Sequence, residues 1–327
     1  MSESAPAPAT AKASALKRGL PWLITLACFG YLYSRIAGAA AREGQDVLSY
    51  MAGIFASVSW WRWLAYMLPY SVFYLLVDTA VLWRVVNWFN TRVGYGDLLP
   101  VRASTYIISL VNEQVGKGAI AYYLNRREGV PGWQLGSSML FIMFCEFYYL
   151  LAWATIGIAL LWNRLPEQLQ IFQTIPYIAL VALGFFAGWV LFFRRGSGGL
   201  RERHLFHAFR QGRAWQYGGV MLLRSPALLA SAFVYARVAE LFGVEVSFGE
   251  MLCYAPVAFF GTFVPGPFRP VAVAFWPTVF SSHEGEMAAF GFVQHNSFVL
   301  FNAALGLIFL RRANRELFGT EAAAAKG

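Results

Sequence analysis

Phe141-Ile142-Met143-Phe144-Cys145-Glu146-Phe147-Tyr148-Tyr149-Leu150 sits at the centre of a run from Trp133 to Trp162 in which Glu146 is the sole charge. A run of that length would be roughly 45 Å long as a helix, at 1.5 Å per residue. The hydrocarbon core of a bilayer is about 30 Å thick, so the run reads as a tilted membrane-spanning helix. Water cannot be its solvent, because a soluble helix of this length needs a polar face and this one has none.

Working outward, five more apolar runs are long enough to cross a bilayer: Leu20–Ile36, Trp63–Trp83, Ile175–Phe193, Gly218–Phe242 and Met287–Leu310. Trp or Tyr stands near several of their ends, where these side chains favour the membrane–water boundary. The whole chain of 327 residues is 58% hydrophobic and only 13% charged, against about a quarter charged in soluble domains. The reading is an all-α polytopic membrane protein of about six transmembrane helices.

Residues 1–19 form an Ala-, Pro- and Ser-rich tail, expected to be disordered. Lys17 and Arg18 then precede the first run. A cleaved signal peptide would share that basic start, with Ala37-Gly38-Ala39-Ala40-Ala41 as its cleavage region. A polytopic protein needs no cleaved signal, so a retained first helix is expected. The transmembrane domain then covers 20–315, in halves 20–193 and 214–315 joined by a basic loop 194–213, with a tail 316–327.

Two stretches between the runs differ in kind. Thr105–Val130 mixes apolar residues with Asn112, Glu113, Gln114, Lys117 and glycines, and Glu250–Phe280 contains Gly261, Pro265, Gly266, Pro267, Arg269 and Pro270. Non-helical backbone at membrane depth is tolerated only where protein buries it or where it lines a wet cavity. Both stretches are therefore expected to be re-entrant or broken helical hairpins.

Charge sets the topology. The loop Arg194–Arg213 holds Arg194, Arg195, Arg201, Arg203, Arg210 and Arg213 against the single acid Glu202. The positive-inside rule places it in the cytoplasm, along with Lys17 and Arg18 at one terminus and Arg311, Arg312 and Arg315 at the other. Six crossings satisfy all three demands if each hairpin returns to its own side. The order crossing–hairpin–crossing then occurs twice in opposite orientation, the signature of an inverted repeat. The net charge of +9 belongs to these short loops and to contact with anionic headgroups, not to nucleic acid.

Several residues carry candidate chemistry. Glu146 should face the bundle interior with a partner, on a substrate or proton path or in a structural hydrogen bond between helices. Glu113 and Lys117 are four apart and share a helix face, either as a self-contained ion pair or as headgroup ligands. Pro265-Gly266-Pro267-Phe268-Arg269-Pro270 cannot continue a helix, so half-helices meeting there would aim backbone groups and Arg269 into a cavity. His295 is more often a satisfied interior residue, although it could titrate near neutral pH. Arg224 and Arg237 read as interfacial anchors that snorkel. Cys28, Cys145 and Cys253 have no metal or disulfide spacing and read as small buried hydrophobes. No P-loop, nucleophile elbow, zinc motif or dinucleotide loop occurs, so no catalytic residue, metal or cofactor is expected.

Val111-Asn112-Glu113-Gln114-Val115-Gly116-Lys117-Gly118-Ala119, with Tyr123-Leu124-Asn125-Arg126-Arg127-Glu128-Gly129-Val130, is followed by Phe144-Cys145-Glu146-Phe147 and Phe263-Val264-Pro265-Gly266-Pro267. This arrangement, spread from about Leu20 to Arg315, resembles the lysylphosphatidylglycerol-synthetase-type transmembrane family of flippase-like proteins. The resemblance implies a lipid translocator. Some members carry a soluble aminoacyl-transfer domain after the membrane part, which is not expected in this chain ending at Gly327. The family tends to a further Gly and an acid after the Pro–Gly loop, where this chain has Phe268, Arg269 and Pro270.

The function expected is a lipid flippase or lipid transporter of the inner membrane. Lys117, Arg126 and Arg269 would hold headgroup phosphate, and Glu113 and Glu146 a cationic or hydroxyl partner. Membrane lipids, chiefly anionic phospholipids, are the expected partners, and a homo-oligomer is compatible with the sequence. Two rivals stand beside it. One is a membrane-embedded lipid-modifying enzyme using Glu146, Glu113 or His295; the other is a non-catalytic partner in envelope lipid assembly.

Overall fold

The computed structural model describes the backbone of residues 9–109, 113–195, 198–263 and 269–324. Among the described residues there are twelve α-helices and no strand: α1 (Ala9–Arg42), α2 (Val47–Ser57), α3 (Trp60–Phe89), α4 (Tyr95–Ser109), α5 (Glu113–Glu128), α6 (Gly132–Leu161), α7 (Ile175–Arg194), α8 (His207–Gln211), α9 (Ala214–Leu241), α10 (Phe248–Phe260), α11 (Pro270–Val279) and α12 (Glu284–Ala324). Six helices are long and apolar enough to cross a membrane, over Trp22–Arg42, Trp60–Phe89, Gly132–Leu161, Leu169–Arg194, Ala214–Leu241 and Glu284–Arg312. They fall on the six expected runs, and the protein is an all-α, multi-pass membrane protein.

The boundaries differ from expectation in four places. The backbone is helical from Ala9, inside the tail expected to be disordered. Helix α12 continues to Ala324, beyond the expected end of the transmembrane domain. A short helix, α2, follows the first span. Asp46 caps it, its Oδ1 accepting from the Leu48 and Ser49 amides at 3.0 and 3.1 Å. Such a cap is worth about 1 kcal/mol. Asp46→Ala is expected to speed amide exchange over Val47–Ser57 about fivefold, since RT ln 5 is roughly 1 kcal/mol; unchanged exchange would deny the cap that role.

The fourth difference matters most. The first hairpin begins at Tyr95 rather than Thr105, so its first arm is α4; residues 110–112 between its arms lie outside the described residues. The turn before α4 is tied back onto α3. Trp83 Nε1 and Asn87 Nδ2 donate to the Val93 carbonyl at 2.8 and 3.2 Å, and the Val93 amide donates to Asn87 Oδ1 at 3.3 Å. Tyr95 donates its hydroxyl to the Leu76 carbonyl at 2.9 Å. These bonds aim α4 along α3, which brings Arg102 to Asp78. The second arm, α5, ends where Gly129 adopts a left-handed φ of 66° and Pro131 blocks continuation. The second hairpin comprises α10 and α11; the break expected at Pro265, Gly266 and Pro267 lies outside the described residues.

The chain divides into two compact units, and not at the basic loop. One comprises Met1–Val58, Leu241–Val244 and Ala258–Asn296; the other comprises Ser59–Glu240, Glu245–Val257 and Ser297–Gly327. In the first unit α1 packs on α11 around Leu32, Val273 and Ala288. Gly261 lets the chain approach α11 closely: a Cβ there would stand 2.8 Å from the Ala272 nitrogen. Arg35 and Arg42 of α1 clamp the buried Glu284 at the start of α12, at 2.9 Å each.

The second unit holds the larger core. Helices α3, α5 and α6 contribute Val85, Leu124, Leu135 and Phe141, and α8 and α9 contribute Phe209 and Tyr217. Phe141, Phe144, Trp189, Phe209 and Tyr217 interlock through ring contacts of 4.5–6.1 Å. Each such aromatic pair adds about 0.5–1.5 kcal/mol beyond area burial. This packing seats the middle of α6, which carries Glu146. The outer side of α7 is apolar and exposed, as a lipid-facing span should be.

Candidate functional site

Four ionised side chains meet inside the second unit, each from a different helix: Asp78 of α3, Arg102 of α4, Glu146 of α6 and Arg224 of α9. Asp78 lies eleven residues before the end of α3, and Glu146 and Arg224 lie fourteen and ten residues after the starts of α6 and α9. At 1.5 Å per residue these positions are ~15–21 Å from the helix ends, deep in the hydrocarbon layer. A lone charge at that depth costs about 2.5–3.5 kcal/mol on insertion scales, so each must find an opposite charge.

The pairing is close to complete. Arg102 Nε donates to Asp78 Oδ2 at 2.5 Å, and the Tyr106 hydroxyl donates to the same oxygen at 2.6 Å. Arg224 bridges the two acids: Nη1 donates to Asp78 Oδ1 at 3.1 Å and Nη2 to Glu146 Oε1 at 2.5 Å. The Arg102 guanidinium stands 4.5 Å from the Tyr106 ring centroid, a cation–π contact that holds it in the plane of its bond to Asp78. Both Asp78 oxygens are thus occupied, whereas Glu146 engages one oxygen only. Exposure follows the same order: the Glu146 side chain is 19% exposed and that of Asp78 7%.

Beside this cluster lies a small, partly open cleft. Tyr74, Asp78, Arg102, Glu146 and Arg224 line it together with Val81, Leu82, Ile120, Met139, Ile142 and Met143. The cleft is amphipathic at membrane depth, with hydrogen-bonding and apolar side chains interleaved along the same helix faces. Ile120 belongs to α5, so both arms of the first hairpin contribute to it.

Glu146 therefore has the interior position and the partner expected of it. Arg224, read as an interfacial anchor, is instead buried in the network. The reading failed because snorkelling needs a free route to the headgroups, and two carboxylates hold this guanidinium inside. Arg237 does stand near the surface, in an i,i+3 pair with Glu240 at 2.7 Å. Asp78 and Arg102 were not singled out. The signal for Asp78 was available: a second lone carboxylate in a second apolar run, with Arg224 far from any other charge in a third.

Of the other expected site residues, Arg269 and His295 stand near one another. The side chains of Glu113 and Lys117 lie outside the described residues, although the backbone of both is in α5. Arg126 is exposed near the end of α5, its guanidinium 5.8 Å from the Tyr122 ring. Arg269 precedes α11 with φ 48° and ψ 52°, the one left-handed non-glycine among the described residues. It belongs to the first unit, as does His295, whose Nε2 accepts from Trp276 Nε1 at 3.0 Å in a buried aromatic setting. That is the geometry of a satisfied interior histidine.

No protein-family model matches the chain, and comparison with curated proteins gives no match.

Proposed function

We propose that this chain is a lipid transporter, a flippase that carries a phospholipid or other amphipathic lipid between leaflets by passing its polar head through the cleft of the second unit. One observation carries the reading: four charges from four helices are held at membrane depth against an otherwise apolar cleft. Charges buried in a membrane are costly and mark the routes of polar cargo. A polar head that replaces one ion-pair partner finds its hydrogen bonds already arranged, while its chains stay against the apolar lining residues or in lipid. The broken hairpin α4–α5 fits the same reading, since discontinuous helices border transport sites in many carriers.

The proposed setting is a bacterial-type inner membrane with both termini cytoplasmic and anionic phospholipids as partners. At or near the ends of α3, α7 and α9 on the side of the basic loop stand Arg84, Arg92, Arg194, Arg195 and Arg213, against Arg62, Arg164 and Arg237 at the opposite helix ends, an excess that supports that orientation.

The test compares lipid sidedness with lipid composition in cells carrying Glu146→Gln. Lost asymmetry of one lipid class, at unchanged total composition, is the expected result. A changed composition produced by the purified protein alone would replace the transporter with a lipid-modifying enzyme. Normal sidedness in a deletion strain would leave only an assembly role.

A further inference from the structure

We propose that the cleft takes up an anionic phosphodiester head together with one proton, and that the proton is received by the Glu146 carboxylate. The inference rests on the lipid-transport reading and adds its coupling to protons. It begins with an asymmetry in the cluster. Arg102 is fixed: its Nε is bonded to Asp78 at 2.5 Å, Nη1 reaches Thr105 Oγ1 at 3.3 Å, and Tyr106 covers its face. Asp78 is equally fixed, with three donors on two oxygens. Only the bond between Arg224 Nη2 and Glu146 Oε1 joins the network to the more exposed side chain on the cleft. An arriving phosphodiester monoanion can compete for Arg224 there, because a guanidinium fork bonds phosphate at least as well as carboxylate.

When the anion takes Arg224 Nη2, Glu146 loses the ion-pair partner described for it. Among the described residues the surroundings offer no second cation. From α3 the groups facing Glu146 are Tyr74 and Asp78; from α4, Arg102 and Tyr106, both engaged by Asp78; from its own helix, Cys145 and Tyr149; from α9, Arg224 itself. Helix α5 brings Ile120, and α7 and α8 turn Phe186, Trp189 and Phe209 to the neighbouring Phe144. A carboxylate stripped of its cation in such a place is neutralised by protonation. The proton comes from water at the open side of the cleft and adds to a carboxylate oxygen. Charge balances: two Arg and two acids sum to zero before binding, and an anion plus a proton leaves that sum at zero.

The sign of the pH dependence follows. The bound form holds one more proton than the free form wherever Glu146 is ionised when free and protonated when the anion is bound. Affinity over that range rises about tenfold for each unit the pH falls, by linkage.

The experiment measures binding of two probes to the full chain in detergent micelles: a short-chain phosphatidylglycerol and dimethyl phosphate, the same diester anion without chains. Calorimetry in two buffers of different ionisation enthalpy counts protons. About one proton taken up per bound phosphatidylglycerol, with a tenfold affinity change per pH unit, is expected. Uptake with phosphatidylglycerol alone identifies a lipid site, and uptake with both probes shows that the head suffices. Glu146→Gln should bind with no proton uptake and no pH dependence, whereas Glu146→Asp should retain both. Phosphatidylglycerol binding by wild type without proton uptake would overturn the coupling and leave lipid transport standing. Binding of neither probe would overturn both.

Discussion

Replacing Arg224 by alanine will destabilise the second unit by about 3–5 kcal/mol, the cost of removing one partner from a buried ion network. Arg224 is the bridge: without it Glu146 has no cation among the described residues, and Asp78 keeps Arg102 and the Tyr106 hydroxyl. The loss lies in the carboxylate left behind more than in the bond removed. Adding Glu146→Gln to Arg224→Ala should therefore recover part of the loss, as a double-mutant cycle would reveal. Unfolding in detergent micelles, followed by fluorescence of the Trp residues, measures it. Unchanged stability in Arg224→Ala would mean that the four charges are not held together as the geometry indicates.

Gly157→Ala is the second substitution with a large expected effect. A Cβ at Gly157 of α6 would lie 2.5 Å from Cys253 Cα and 2.8 Å from both the Cys253 nitrogen and the Leu252 carbonyl oxygen of α10. Those are backbone atoms, which cannot rotate aside as a side chain would, so the two helices must separate. Overpacking of this kind costs about 1–3 kcal/mol. Gly184→Ala serves as the contrast, because nothing lies within 4 Å of its added Cβ. It should stay within about 0.5 kcal/mol of wild type. Equal thermal stability of the two variants would remove the close approach of α6 and α10 from the account.

The six spans were legible because a bilayer imposes one strong requirement, a long apolar run, and the chain meets it six times. The two interrupted stretches also stood out, since Gly, Pro and charge are unusual at membrane depth, although residues 110–112 and 264–268 lie outside the described residues. The start of the first hairpin was not. Asp97, Pro100 and Arg102 make Tyr95–Ser104 look like a surface loop. Its helix depends on the bonds of Trp83 and Asn87 to Val93, which no local pattern announces.

The same holds for the candidate site. Glu146 was visible as an isolated charge, but its partner is 78 residues away. Asp78 is the single charge of its apolar run, and Arg224 stands far from any other charge in its own. Two isolated acids and one isolated base in the middle of three spans are expected to lie near one another, since each would be costly alone. Arg102 completes the set from a segment whose helical character was hidden. His295 was ambiguous in sequence, because a histidine among aromatics looks the same whether it titrates or simply accepts a hydrogen bond. The Trp276 donor decides for the second.

The four-charge cluster also has an electrical meaning. A transmembrane potential does work of about 2.3 kcal/mol per elementary charge per 100 mV. Asp78, Arg102, Glu146 and Arg224 sum to zero, so a rearrangement that carries them together does no net work against that field. Voltage neither drives nor resists such a step. The protein can keep strongly polar machinery in mid-membrane without becoming a voltage sensor.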